Sequence, residues 1–181
     1  MSSNYKFRNQ ECLYFVTFTV VRWIDVLTRR AYKDIIVESL KYCIKHKGLQ
    51  LHGWVIMSNH VHLIISTNDK PMQDILRDVK RHTSKAITKA IIENVQESRR
   101  EWMLWFFERE GKSNPNNENY QFWQQGNHPI EIYTNKVLDQ KLDYIHNNPV
   151  TAGWVDEPHH FLYSSARDYA GGKGLIDIIL V

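Results

Sequence analysis

An α+β sandwich, one antiparallel sheet with helices on one face and a further helix near the C-terminus, is the fold class the sequence predicts. Three observations predict it. Short runs rich in β-branched and aromatic residues occur at 13–21 and 50–66. Two long segments, 28–46 and 71–97, carry apolar residues at helical spacing. Their order is strand, helix, two strands, helix, and one more strand completes β-α-β-β-α-β. The 181 residues suffice for one domain with a real core, so 1–181 is read as a single unit.

Leu13 to Val21 reads as the first strand. Thr28 to His46 reads as a helix with Ile35, Ile36, Leu40, Cys43 and Ile44 inward, and Gly48 follows as a C-cap neighbour. Residues 50–66 read as two strands joined at Met57 to Asn59. On the second, His60, His62, Ile64 and Ser66 share one face, and Val61, Leu63 and Ile65 share the other. The apolar set is expected to pack onto helices. The two imidazoles then stand on the open face with Cα atoms roughly 6–7 Å apart, a spacing one divalent metal can bridge. A His-x-His pair alone is weak support for a metal, because histidine is also an ordinary surface residue.

Pro71 to about Glu97 reads as a long helix with Ile75, Val79, Ile87 and Ile91 as core candidates. Arg77, Lys80, Arg81, Ser84, Lys85 and Thr88 fall within roughly a 140° arc at 100° per residue. That basic, hydroxyl-bearing face suits a phosphate backbone. A solvated helix face is the plainer reading for a generic helix.

Trp102 to Phe107 is dense in aromatics, with core packing preferred for Trp105 and Phe106. Phe122 and Trp123 are left between core packing and base stacking on unpaired DNA. Residues from 111 to about 119 read as a mobile loop, and the last strand is expected somewhere in 120–133. A helix should start near Thr134 or Asn135 and end at or before Asn148, since Pro149 disfavours its continuation. Val137, Leu138, Leu142 and Ile145 make its buried stripe, while Tyr144 and Asn148 lie one turn apart off that stripe. Ile176 to Val181 suits an added strand or a dimer contact.

With the last strand and helix in place, the order gives a ferredoxin-like sandwich. The net charge of +3 is small. Cys12 and Cys43 form no disulfide framework and no Cys-x-x-Cys zinc site. No apolar run reaches transmembrane length, and Met1 to Lys6 lacks a signal-peptide core, so a cytoplasmic protein without a membrane partner is expected.

Several stretches together resemble a known family. They are residues 53–64 (through Ser58-Asn59-His60-Val61-His62), Lys80 to Lys85, Phe122 to Gln125, Tyr144-Ile145-His146-Asn147-Asn148-Pro149 through Trp154, and Tyr163 to Ala166. In order and spacing the set is similar to the single-tyrosine transposases with a His-hydrophobic-His motif. It is closest to the REP-associated tyrosine transposases and their insertion-sequence-200-like relatives. The resemblance implies Tyr144 as the catalytic tyrosine and His60, His62 and Asn148 as metal ligands. His146 is the better ligand chemically, but it points about 200° away from Tyr144 on the helix, which prefers Asn148.

The implied cofactor is Mg²⁺ or Mn²⁺, which favours a phenolate and polarises a phosphate oxygen. The implied partner is DNA, single-stranded or hairpin, with Arg77, Lys80, Arg81, Ser84, Lys85 and Trp123 as contacts. The implied reaction is nicking and rejoining through a 5′-phosphotyrosine with a free 3′-OH. A homodimer is compatible, because in relatives the tyrosine helix acts in cis or across a dimer. Three other readings compete: a replication-initiator-like nickase, a non-catalytic nucleic-acid-binding module, and a zinc hydrolase. The short chain argues against the first. The missing Lys/Arg-Gly-Phe/Tyr signature and the missing His-Glu-x-x-His argue against the other two.

Overall fold

The computed structural model describes residues 7, 12–114 and 119–181. Four antiparallel strands, Leu13–Thr19 (β1), Leu49–Ile56 (β2), His60–Thr67 (β3) and Ile130–Ile132 (β4), form one sheet in the order β2-β3-β1-β4. Helices Arg30–Lys47 (α1) and Met72–Glu93 (α2) follow β1 and β3. The order is that of the expected ferredoxin-like sandwich. The expectations on residues 1–6 lie outside the described residues.

The alternation of β3 is realised. Val61, Leu63 and Ile65 join the main core with Ile36 and Leu40 of α1 and Ile75 and Val79 of α2. Ile64, on the other face, joins a second core with Phe15, Val55 and Met57, closed by Leu142 and Ile145. Those two belong to the helix Asn135–Thr151, which covers part of the sheet face opposite α1 and α2. Each large apolar side chain so buried contributes about 1.5–3 kcal/mol. Gly53 on β2 matters to this contact, since a Cβ there would lie 2.9 Å from Leu142 Cδ2. The helix can therefore sit close on the sheet.

The local signals act as expected at α1. Its end is set by Gly48, in the left-handed region at φ 72°, whose N–H donates to the Cys43 carbonyl. The tight link between β2 and β3 is closed by Met57 N–H donating to the His60 carbonyl.

Other expectations need correction. Arg100–Lys112 is a helix (α3) rather than aromatic packing at a helix end, and Asn135–Thr151 is therefore α4. In α3, Met103, Phe107 and Gly111 form the buried stripe, which turns Trp105 outward to 52% exposure. The loop expected from 111 begins later, because Gly111 and Lys112 are helical, and 115–118 lie outside the described residues.

At the other end of the chain, α4 does not stop before Pro149. It runs to Thr151 and ends in a Schellman closure, with Gly153 at φ 71°, Gly153 N–H on Val150 O and Trp154 N–H on Pro149 O. Pro149 forgoes one N–H bond and is buried instead. The C-terminal segment forms no strand, although Ile179 N–H donates to Leu51 O and Ile176 is buried. A four-residue helix, Ala166–Tyr169 (α5), precedes it.

Candidate active site

His60 and His62 stand at the start of β3, on the face that α4 partly covers. Thr17 of β1 pairs with His62 across the ladder, and the Thr17 hydroxyl lies 2.8 Å from His62 Nδ1. His62 is only 5% exposed, and its Nε2 is buried without a hydrogen-bond partner among the described residues. An unpaired buried polar atom costs about 1–3 kcal/mol, which makes this nitrogen a candidate for a ligand. Burial, with smaller contributions from His60 and Lys141, pushes its pKa down to about 3, which keeps the imidazole neutral.

His60 is oriented by its neighbour. Asn59 Nδ2 donates to the Trp23 carbonyl at 3.2 Å, which aims Asn59 Oδ1 at His60 Nδ1, 2.6 Å away. His60 Nδ1 is then the donor, and Nε2 carries the lone pair. An N–H held by an oxygen on one side with a free nitrogen on the other is how protein imidazoles meet metals. Burial lowers the His60 pKa as well. The two rings are 4.7 Å apart, centre to centre.

Helix α4 delivers Tyr144. Its N-cap is Thr134, whose hydroxyl accepts from Val137 N–H. Leu142 and Ile145 anchor one side, and Tyr144, half exposed, projects from the rim. The Tyr144 ring centre is 5.2 Å from that of His62 and 6.0 Å from that of Phe15. Phe15 stacks on His62 at 5.2 Å. Asn148 Nδ2 donates to the Tyr144 carbonyl at 2.7 Å, leaving Oδ1 free of any hydrogen bond among the described residues. His146 turns away, its Nε2 2.8 Å from Ser165 Oγ.

Among the described residues no group of three or more His, Cys, Asp or Glu is gathered. The donors at hand are two neutral imidazoles and, one turn beyond Tyr144, an amide oxygen. This set fits a divalent cation whose charge and remaining positions are left to oxygen ligands from water or phosphate. Thr17 and Asn59 were not legible as orienting groups, although Thr17 could have been placed by cross-strand pairing once β1 was aligned with β3.

The model of the family described as "Transposase IS200 like" matches residues 9–110, more than half of the chain. The chain belongs to that family. The matched span holds His60 and His62 and ends before Tyr144. A solved structure described as a REP-associated tyrosine transposase bound to a REP hairpin is similar in fold, with a TM-score of 0.67 at 18% identity. The similarity covers 99% of this chain and 92% of that one. A protein from Deinococcus radiodurans R1, provisionally assigned as a transposase, has a TM-score of 0.45 at 16% identity over 81% of this chain and 97% of that one, too slight a likeness to argue from. No curated protein matches.

The residues expected on DNA are not gathered at this site. Arg77, Arg81, Ser84 and Lys85 sit on α2, in the layer on the far side of the sheet. Arg77 pairs with Asp74 at 2.7 Å, and Arg81 lies 3.4 Å from Asp78. Lys85 is exposed and lines a groove of about 730 Å³ between α1 and α2, while Ser84 is half-buried. Thr88 is buried.

Two expectations fail on burial. Trp123 is 5% exposed and its indole N–H donates to Thr83 Oγ1 at 3.0 Å, so it is a core residue and presents no face to a base. Lys80 is folded inward, and its ammonium donates to Gln124 O, Gly126 O and Asn127 Oδ1 at 2.8–3.2 Å. Burial brings its pKa down to about 8, still charged at neutral pH with all three donors used. Lys80→Met is therefore expected to cost about 1–3 kcal/mol in urea unfolding and to leave the salt dependence of DNA binding unchanged. Unchanged stability with a shallower salt slope would return Lys80 to the phosphate contacts.

Buried His52 and half-buried His146 also set a pH response. His146 is held down to about 4 by burial, and His52, bonded to Ser66 Oγ and Ile179 O, is shifted the same way. The unfolded chain takes up a proton at each near pH 6.5, whereas the folded chain takes up none at His146 until about pH 4. Stability is therefore complete above pH 6.5 and declines below it, by up to about 1.4 kcal/mol per pH unit for each histidine. Urea midpoints between pH 7 and 4 should show this slope, and His146→Gln should reduce it by one proton. An unchanged slope in that variant would contradict the assignment.

Proposed function

We propose that this transposase-family protein is a DNA strand transferase that nicks and rejoins single-stranded or hairpin DNA through a covalent bond to Tyr144. The observation that carries the reading is the half-exposed Tyr144 phenol, 5.2 Å between ring centres from an imidazole whose buried Nε2 has no partner among the described residues. Family membership supports strand transfer as the class of reaction. The REP hairpin on the solved protein of similar fold supports hairpin DNA as the class of substrate.

His60 and His62, with the Asn148 amide oxygen, would hold Mg²⁺ or Mn²⁺. When bound, the cation supplies Lewis-acid charge to the scissile phosphate. Thr17 and Asn59 keep the imidazoles in place, and burial keeps them unprotonated. The Tyr144 oxygen attacks phosphorus in line with the leaving 3′ oxygen. One P–O bond forms to tyrosine and the P–O3′ bond breaks. The phenol loses its proton to solvent and the 3′ oxygen gains one. The 5′-phosphotyrosine keeps the bond energy, so a second 3′-OH can displace Tyr144 without a nucleotide cofactor.

The test is a gel assay with 5′- and 3′-labelled single-stranded DNA from the region flanking the gene, in Mn²⁺ and in EDTA. A metal-dependent, SDS-resistant protein–DNA adduct is expected. Cleavage without an adduct would indicate metal-assisted hydrolysis. Salt-sensitive binding without cleavage would indicate a binding module.

A further inference from the structure

Beside the paired histidines the chain does something its local sequence does not require. Arg22 and Trp23 lie in a 3₁₀ turn after β1 with φ of 55° and 57°. Two consecutive non-glycine residues in the left-handed region are costly, because their Cβ atoms crowd the following carbonyl, and glycine would fit at less cost. Such strain persists only where the surroundings enforce it, and it concentrates at binding and catalytic sites.

The enforcement is visible on both sides. Arg22 Nε pairs with Glu110 of α3 at 2.8 Å. The Trp23 carbonyl accepts from Asn59, the residue that also orients His60. Val21 and Ile24 are buried on either side, while Trp23 is 60% exposed. Its ring centre is 6.1 Å from that of His60, in an edge-to-face arrangement that leaves much of the indole open to solvent. An exposed tryptophan held by strain against a metal-ligand candidate is poorly explained by packing.

We infer that the Trp23 indole is a stacking platform for the unpaired base next to the scissile phosphate, fixing which nucleotide enters the site. This rests on the proposed nicking reaction for the identity of the phosphate. Aromatic rings hold unpaired bases by their faces with little regard to sequence, and tryptophan offers the broadest face. Asn59 joins the platform to His60, so a base seated on Trp23 and a phosphate seated at the histidines would be registered through one side chain. Trp23 is a positioning residue in this reading, not a catalytic one.

Binding can be measured without chemistry. The Tyr144→Phe protein is titrated with a fluorescein-labelled 20-nucleotide single strand by fluorescence anisotropy, alone and with Trp23→Ala or Trp23→Phe added. Trp23→Ala is expected to weaken binding roughly 5- to 150-fold, the range for one lost base–aromatic stack. Trp23→Phe should recover most of the loss, and melting temperatures should stay near the parent's. An abasic residue is then walked along the strand. At one position it should cost the parent a similar factor and cost the Trp23→Ala protein almost nothing, a coupling that a structural role would not produce. Equal affinity with and without Trp23, or a parent indifferent to abasic substitution everywhere, overturns the inference. Failure of the nicking proposal appears separately, as the absence of an adduct with Tyr144 intact.

Discussion

Tyr144→Phe is expected to remove the covalent DNA adduct and reduce strand cleavage by more than about a thousand-fold, the scale on which loss of a sole nucleophile is felt. The fold should not notice. The Tyr144 hydroxyl makes no hydrogen bond among the described residues, and the ring contacts with His62 and Phe15 survive in phenylalanine. DNA affinity and melting temperature should therefore stay close to the parent's. A combined loss of binding, stability and cleavage would make Tyr144 a structural residue. Cleavage that persists without an adduct would move the nucleophile to water.

The second large effect belongs to His62. His62→Leu is expected to abolish metal-dependent cleavage, at a cost above about a hundred-fold, because two imidazoles are the strongest donors at the site. Its effect on folding should be small. The variant removes a buried Nε2 that is unpartnered among the described residues but also loses the 2.8 Å bond to the Thr17 hydroxyl, so without metal its stability should stay within about 2 kcal/mol of the parent's. Mn²⁺ should raise the parent's melting temperature by mass action and leave the variant's unchanged. A variant destabilised by more than about 2 kcal/mol in EDTA, or a parent indifferent to Mn²⁺, would give His62 a packing role instead.

Much of this site is readable along the chain because its parts obey local periodicities. Strand alternation alone puts His60 and His62 on one face. A single helical turn relates Tyr144 to Asn148 and sends His146 the other way, to Ser165. What escapes the sequence is set by partners far apart. A helical wheel cannot foresee that Lys80 will find three oxygens on the 124–127 segment, or that Trp123 will reach Thr83 across the core. Lys80 belongs to a face that suits phosphate binding and Trp123 to an aromatic pair open to base stacking, and tertiary packing overrides both.

The end of α4 illustrates a competition between two stop signals. Pro149 is the louder one in sequence, yet Gly153 decides, because it can take the left-handed conformation that closes the last turn. Helix α3 was obscured by its composition. Exposed Trp102 and Trp105 blur the stripe that Met103, Phe107 and Gly111 make. The strained turn at Trp23 has no sequence signature at all, since nothing in Val21-Arg22-Trp23-Ile24 asks for a positive φ.

The most direct measurement is to isolate the SDS-resistant adduct formed on 5′- and 3′-labelled strands, digest the protein, and find by mass spectrometry the peptide that carries the nucleotide. The expected result is a nucleotide on the peptide containing Tyr144, joined through a 5′ phosphate, with the released fragment ending in a 3′-OH. A nucleotide on another residue, or a 3′-phosphate linkage, would contradict Tyr144 as the nucleophile and the strand transfer built on it.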